Sequence, residues 1–137
     1  MVQRPRVMIV DDDASTLELV EEFLVEEGYV VVGARDGQAA LVSAATGQPD
    51  LILLDLRMPR MNGREFAEAY HRLPGKAAPI VVMTASSGSS ASVAELNAVA
   101  SLDKPFALDD LLAMVRRFLP IRDVIGLDGS ATPAKDR

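Results

Sequence analysis

Three places in this sequence put oxygen-bearing side chains where an apolar run stops. Leu51–Leu54 is continuously apolar and ends in Asp55. Arg6–Val10 runs into Asp11-Asp12-Asp13, and Ile80–Met83 runs into Thr84. Short apolar runs of this kind read as strands buried on both faces, which belong to a parallel sheet covered by helices. Open α/β sheets bind ligands outside the carboxyl ends of their strands. Three strands delivering oxygen ligands to one such rim would make a polar, negatively charged site.

The segments between these runs supply the helices that such a sheet needs. Ser15 and Glu18 have the spacing of a capping box, and Leu17, Val20, Phe23 and Leu24 form one apolar face that Gly28 ends. Tyr29–Val32 reads as a second strand, Asp36-Gly37 as a turn, and Gln38–Thr46 as a short helix closed by Gly47 and Pro49. A loop with Pro59, Asn62 and Gly63 leads to a helix over about 64–73, with Phe66, Ala69, Tyr70 and Leu73 inward. Ser86–Ser90 reads as the most flexible piece. Ser92 and Glu95 have capping-box spacing for a brief helix ending near Ala100, followed by a very short strand at Lys104-Pro105. Leu108, Leu111, Leu112, Val115, Phe118 and Leu119 repeat at helical spacing in a last helix that Pro120 stops. If that whole face is core, Phe118→Ala should cost about 3–5 kcal/mol. Alternation of strand and helix five times implies right-handed crossovers and a doubly wound (βα)5 three-layer sandwich. Residues 1–120 are expected to form one domain and 121–137 a disordered tail.

Composition removes several classes of function. The net charge of −6 leaves no basic face of the size that a phosphate backbone requires, so no nucleic acid is expected as partner. Cysteine is absent, which excludes disulfides and thiolate metal sites. No apolar run approaches the ~18 residues of a membrane span, and Asp11 comes too soon for a signal-peptide apolar core. A cytoplasmic protein without membrane contact is the default expectation.

Taken together, the acidic pair Asp11-Asp12, the run Asp55-x-x-Met58-Pro59-x-x-x-Gly63, Thr84-Ala85 and Lys104-Pro105-Phe106 resemble the receiver domain of two-component response regulators. The resemblance covers residues 5–119. It implies a flavodoxin-like parallel sheet of order 2-1-3-4-5 and an Asp55 that accepts a phosphoryl group from a phosphohistidine. The donor would be a sensor histidine kinase or a histidine phosphotransfer protein. By the same resemblance, Asp12 ligates Mg²⁺ (or Mn²⁺) directly and Asp11 directly or through water, with Asp55 and the backbone carbonyl of Arg57 adding further oxygens. Lys104 would pair with the phosphoryl oxygens, Thr84 would bind one of them in the active state, and the Lys104–Pro105 bond would be cis. Such a domain is a signalling receiver rather than an enzyme with separate turnover, although it catalyses its own phosphorylation and dephosphorylation. Its output would be a protein contact through the fourth helix, fifth strand and last helix, from a monomer or weak homodimer.

The charges are consistent with that role. Converging carboxylates repel, and without a counter-ion one would take up a proton. An ion bound entirely by oxygen, such as Mg²⁺ with its retained waters, resolves the conflict. Asp11, Asp12 and Asp55 bring −3, which Mg²⁺ and Lys104 neutralise; a phosphoryl group near −2 on Asp55 would leave an excess for the Thr84 hydroxyl to meet.

Plainer readings exist for each residue. Asp11–Asp13 could merely cap the first helix, Asp13 above all; Lys104 could be a surface lysine and Thr84 a strand end. His71 reads as solvated, Arg57, Arg60 and Arg64 as the lip of the pocket, and Met58 and Met61 as loop packing. Ser101 stands three residues before Lys104, where receivers usually carry an aromatic. The signal is therefore expected to leave through the Ser86–Ser90 loop and the following helix. Two other functions compete. A haloacid-dehalogenase-type phosphatase would use Asp11 as nucleophile, with Asp13, Thr84, Lys104 and Asp109-Asp110 as its remaining motifs. A pseudo-receiver adaptor would never carry phosphate.

Overall fold

Five strands alternate with five helices in the computed structural model, which describes residues 4–58, 61–84 and 89–121. The elements are β1 (Arg6–Val10), α1 (Ala14–Glu26), β2 (Val30–Ala34), α2 (Gly37–Gly47), β3 (Leu51–Asp55), α3 (Gly63–His71), β4 (Ile80–Thr84), α4 (Ser89–Leu96), β5 (Ala100–Asp103) and α5 (Leu108–Phe118). The sheet is parallel throughout, in the order β2-β1-β3-β4-β5. This is the doubly wound fold that the alternation implies.

Side-chain alternation along the strands divides the interior in two. Met8, Val10, Ile52, Leu54, Ile80 and Val82 face α2, α3 and α4, where Ala40, Ala44, Phe66, Tyr70 and Leu96 meet them. Val7, Ile9, Leu51, Leu53, Val81 and Met83 face α1 and α5, against Leu17, Val20, Leu24, Leu111 and Val115. Every residue of β3 and β4 is buried, so apolar residues are needed on both faces and the sequence shows no alternation there.

Several local details differ from the sequence reading. The Ser15–Glu18 box does not form; Asp13 caps α1, as its plainer reading had it, its carboxylate accepting from the Ser15 N–H at 3.1 Å and the Thr16 hydroxyl at 2.9 Å. A carboxylate beside free N–H groups at a helix start displaces the expected Ser15–Glu18 box. Asp36 likewise caps α2 through the Ala39 N–H, at 2.8 Å, so Gly37 is the first helical residue rather than part of a turn. The left-handed residue after α2 is Gln48, with φ of 49°, and not Gly47. The true capping box is at α3, where Asn62 and Glu65 exchange bonds of 2.9 Å.

β5 lies at Ala100–Asp103, before Lys104-Pro105 and not on it; proline lacks the N–H that the ladder uses. α4 runs from Ser89 to Leu96, four residues short of Ala100, so Ser92 falls inside the helix and not at its start, and Glu95 pairs with Arg64. On α5 only Leu111 and Val115 are buried, while Phe118 is half-buried with the Arg117 guanidinium over its ring. The expected cost of Phe118→Ala is correspondingly too high. α5 has no side-chain cap, yet Asp109 and Asp110 in its first turn and Arg116 and Arg117 in its last match its dipole. Of the expected tail, 121–137, only Ile121 is described, half exposed with its side chain beside Gly28; residues 122–137 lie outside the described residues. Among those described, no helix is long and apolar enough to cross a membrane.

Candidate functional site

The strand register brings the singled-out residues to one rim. Asp55 is the last residue of β3, opposite Met83, and Thr84 is the last of β4, opposite Asp103. Asp11 and Asp12 follow β1 directly, and Lys104 follows β5. All five therefore stand at the carboxyl edge of the sheet. Behind Asp11, Asp55 and Thr84 the apolar run is buried, so the first polar residue is the one that emerges at the edge; β5, before Lys104, is only partly buried.

Asp11 is fully buried, and each of its carboxylate oxygens accepts one hydrogen bond. Its N–H donates to the Ala34 carbonyl at 3.0 Å. Its carboxylate accepts from the Asp13 N–H at 2.9 Å and from Lys104 Nζ at 2.7 Å. Lys104 is held in turn by its own N–H, which donates to the Thr84 carbonyl at 2.8 Å, and the bond to Pro105 is cis. From there Nζ also stands 3.7 Å from Asp55 Oδ2. The other oxygen of Asp55 accepts from the Arg57 N–H at 3.3 Å. Asp12 is exposed at the mouth, and Thr84 is buried beside Asp55's strand.

Oxygen atoms from Asp11, Asp12 and Asp55 lie within 4.8 Å of one another. Opposite ligands in an octahedron of 2.0–2.1 Å bonds are about 4.2 Å apart, so an all-oxygen set this close would need to contract by at most about 0.6 Å to hold a small hard dication. The electrostatics agree. Burial first, then the Asp11 charge, raises the pKa of Asp55 to about 6, with Asp12 adding to the rise. Lys104 and the Arg57 N–H offset only part of it. Burial also works against the Lys104 ammonium, but the hydrogen bond to Asp11 and the two carboxylate charges outweigh it, leaving its pKa above the ordinary value. Lys104 stands closer to Asp11 than to Asp55 and offsets the charge on Asp55 only in part, which leaves room for a second positive charge.

A scan against known families matches residues 7–116 to the response regulator receiver domain. The chain belongs to this family. It is 42% identical over 116 residues to the response regulator MprA of Mycolicibacterium vanbaalenii, an alignment covering 83% of this chain and 50% of that protein. MprA of Mycobacterium ulcerans gives the same identity and coverage. The chain thus spans about half the length of these curated relatives. Among solved structures, the chemotaxis protein CheY4 of Vibrio cholerae superposes with a TM-score of 0.75 at 32% identity, over 85% of this chain and 100% of that one. The non-phosphorylated HemR receiver domain of Leptospira biflexa gives a TM-score of 0.77 at 30% identity, over 88% and 98%.

Some residues weighed beside the receiver motifs fall elsewhere. Arg64 is drawn to Glu95 on α4, at 2.6 Å, rather than to the lip of the pocket. Arg60 lies outside the described residues, as do 86–88 of the Ser86–Ser90 stretch. His71 is exposed, its ring tilted against Tyr70. Ser101 pairs with Val82 within β5. The sequence reading missed that Asp11 would be the lysine's shorter partner, and it missed the role of Gly37, which packs against Met61. The Asp36-Gly37 pair was visible, but its turn-like composition concealed a helix start.

Proposed function

We propose that Asp55 is the phosphoacceptor of a two-component signalling pathway, phosphorylated by a histidine kinase or a histidine phosphotransfer protein. The observation that carries this reading is the position of Asp55: buried at the strand end, 3.7 Å from Lys104 Nζ and inside a cluster of carboxylates. Asp11, Asp12, Asp55 and the Arg57 carbonyl would hold Mg²⁺ or Mn²⁺. When bound, the ion supplies positive charge against the oxygens of the transferring group.

An Asp55 oxygen attacks phosphorus as the bond to the donor imidazole nitrogen breaks, and the electron pair of that bond leaves with the imidazole. Lys104 stabilises the charge on the equatorial oxygens, since its ammonium already lies within reach of the acceptor carboxylate. Once Asp55 carries phosphate, the added negative charge draws the Lys104 ammonium away from Asp11 and recruits the Thr84 hydroxyl. The phosphorylated state is then read by a protein partner on the face formed by α4, β5 and α5. Residues 1–120 act as the receiver unit, in the cytoplasm.

The Asp11-nucleophile reading is disfavoured by the burial of that carboxylate and by its bonds to Lys104 and Asp13. Asp109 and Asp110 open α5 rather than ending a strand. Treatment with acetyl phosphate and Mg²⁺, borohydride trapping and peptide mapping is the direct test. The label is expected on Asp55 and lost in Asp55→Asn. Label on Asp11 would refute the assignment, and no label on any aspartate would favour the adaptor that never carries phosphate.

A further inference from the structure

The two oxygens of the buried Asp11 carboxylate have different partners. Oδ2 accepts from Lys104 Nζ at 2.7 Å, and the same ammonium stands 3.7 Å from Asp55 Oδ2. Oδ1 accepts from the Asp13 N–H at 2.9 Å. With one donor on each oxygen, a quarter turn of the carboxyl group would break both bonds. The plane of this carboxylate therefore sets where the Lys104 ammonium rests beside the acceptor.

The donor on Oδ1 is held from its other side. The Asp13 carboxylate accepts from the Ser15 N–H and the Thr16 hydroxyl, and the Asp13 carbonyl accepts from the Leu17 N–H at 3.0 Å. In a capping box the residue three positions on would take the cap's own N–H, as Glu65 takes that of Asn62 in α3. In α1 that position is Thr16, which has no carboxylate to offer, and the Asp13 N–H goes to Asp11 instead. Helix capping accounts for the Asp13 side chain but not for this bond. An unbroken chain of hydrogen bonds thus runs from the first turn of α1 through Asp13 and Asp11 to Lys104.

We propose that Asp13 is a positioning residue for the acceptor site: by clamping its own backbone to the start of α1, it aims the Asp11 carboxylate and, through it, the Lys104 ammonium. Asp13 is exposed and stands outside the carboxylate cluster of Asp11, Asp12 and Asp55, so it acts through Asp11 and touches no reacting atom. Loosening the clamp lets the Asp11 carboxylate turn, which displaces its oxygen from the cluster and unseats Lys104. The inference rests on Asp55 being the acceptor and on the cluster taking a dication, but the state of Asp11 can be read without either.

The experiment compares Asp13→Ala with Asp13→Asn. Both remove the same charge, but asparagine caps a helix about as well as aspartate, so the difference between them reads the clamp alone. Three quantities are measured on the whole chain: the Asp11 carboxyl-carbon resonance without metal, the Mg²⁺ dissociation constant by calorimetry, and the rate of aspartyl phosphate formation from acetyl phosphate. Asp13→Ala is expected to move the Asp11 resonance, weaken Mg²⁺ about ten-fold and slow labelling, with Asp13→Asn within about two-fold of wild type. Thr16→Val, which takes away one donor to the Asp13 carboxylate, should change the same quantities less, and it serves if Asp13→Ala does not fold. A cap that only steadies α1 would lower the melting temperature in Asp13→Ala and leave Mg²⁺ affinity and the Asp11 resonance as in Asp13→Asn. That result would overturn the proposal, as would equal losses in the two variants, which would assign the effect to charge. A wild-type chain that neither labels nor binds Mg²⁺ would instead count against the acceptor reading, while the Asp11 resonance would still decide the role of Asp13.

Discussion

Replacing Asp55 by asparagine should make the metal-free protein more stable at neutral pH. In the native state the Asp55 carboxylate is buried beside Asp11 and Asp12, and its pKa is raised from 3.8 to about 6. A shift of that size means that ionising the folded form costs at most about 3 kcal/mol more than ionising the unfolded chain. Lys104 and water at the rim screen part of this, so a gain of about 1–2 kcal/mol on removing the charge is the working figure. Asparagine keeps an oxygen for the Arg57 N–H, and Lys104 keeps its shorter bond to Asp11. The sign follows from proton binding. Between pH 4 and 6 the native state holds more protons than the unfolded state, so this group's contribution falls as pH rises through that window. Stability is unpenalised below about pH 4 and fully penalised above about pH 6. For a domain of this size about 1–2 kcal/mol corresponds to roughly 4–8 °C in Tm. Thermal melts of wild type and Asp55→Asn in EDTA, from pH 4 to pH 8, measure it. The difference should vanish near pH 4 and be largest above pH 6.5. Millimolar Mg²⁺ should raise the wild-type Tm more than that of the variant, because binding to the native state alone is stabilising. An Asp55→Asn that melts at or below the wild-type temperature in EDTA at pH 7.5 would refute the electrostatic account.

Other expectations follow from the same geometry. Lys104→Met leaves the buried Asp11 carboxylate without its ammonium and should lower stability in urea unfolding by about 3 kcal/mol at pH 7 without metal. Leu111→Ala, at a fully buried position of α5, should cost about 2–5 kcal/mol, whereas Phe118→Ala on the half-buried flank should cost less than half as much in the same urea titration. Asn62→Ala removes the reciprocal cap of α3 and should cost about 1 kcal/mol; because α3 begins beside the acceptor loop, an unchanged urea midpoint would argue against that cap.

The framework of this molecule was legible because its strands are short, apolar and buried on both faces. Leu51–Asp55 and Ile80–Thr84 each announce where they enter and leave the sheet, and so fix the rim where Asp55 and Thr84 stand. What stayed hidden was settled by competition among neighbours. Asp13 and Ser15 could each have capped α1, and the carboxylate won. Phe118 shares the helical spacing of Leu111 and Val115, but spacing does not say how wide a stripe the sheet will cover. Asp36-Gly37 reads as a turn because both residues favour turns, and only the approach of Met61 explains the glycine. Glu95 matched the capping-box spacing from Ser92, yet Arg64 on α3 offered a full opposite charge. Gly37 and Arg64 both depend on residues distant in sequence, which no local pattern reports.

The two-sided interior has a consequence for synthesis. Val7, Ile9, Leu51 and Leu53 share their core with Leu111 and Val115, and the Tyr29 hydroxyl is tied to the Leu119 carbonyl across 90 positions. A nascent chain on the ribosome can join β1, β2 and β3 long before α5 exists, but one flank of that half-built sheet stays greasy until residues 108–119 emerge. Chaperone dependence and aggregation during expression should therefore be governed by how quickly this last helix arrives.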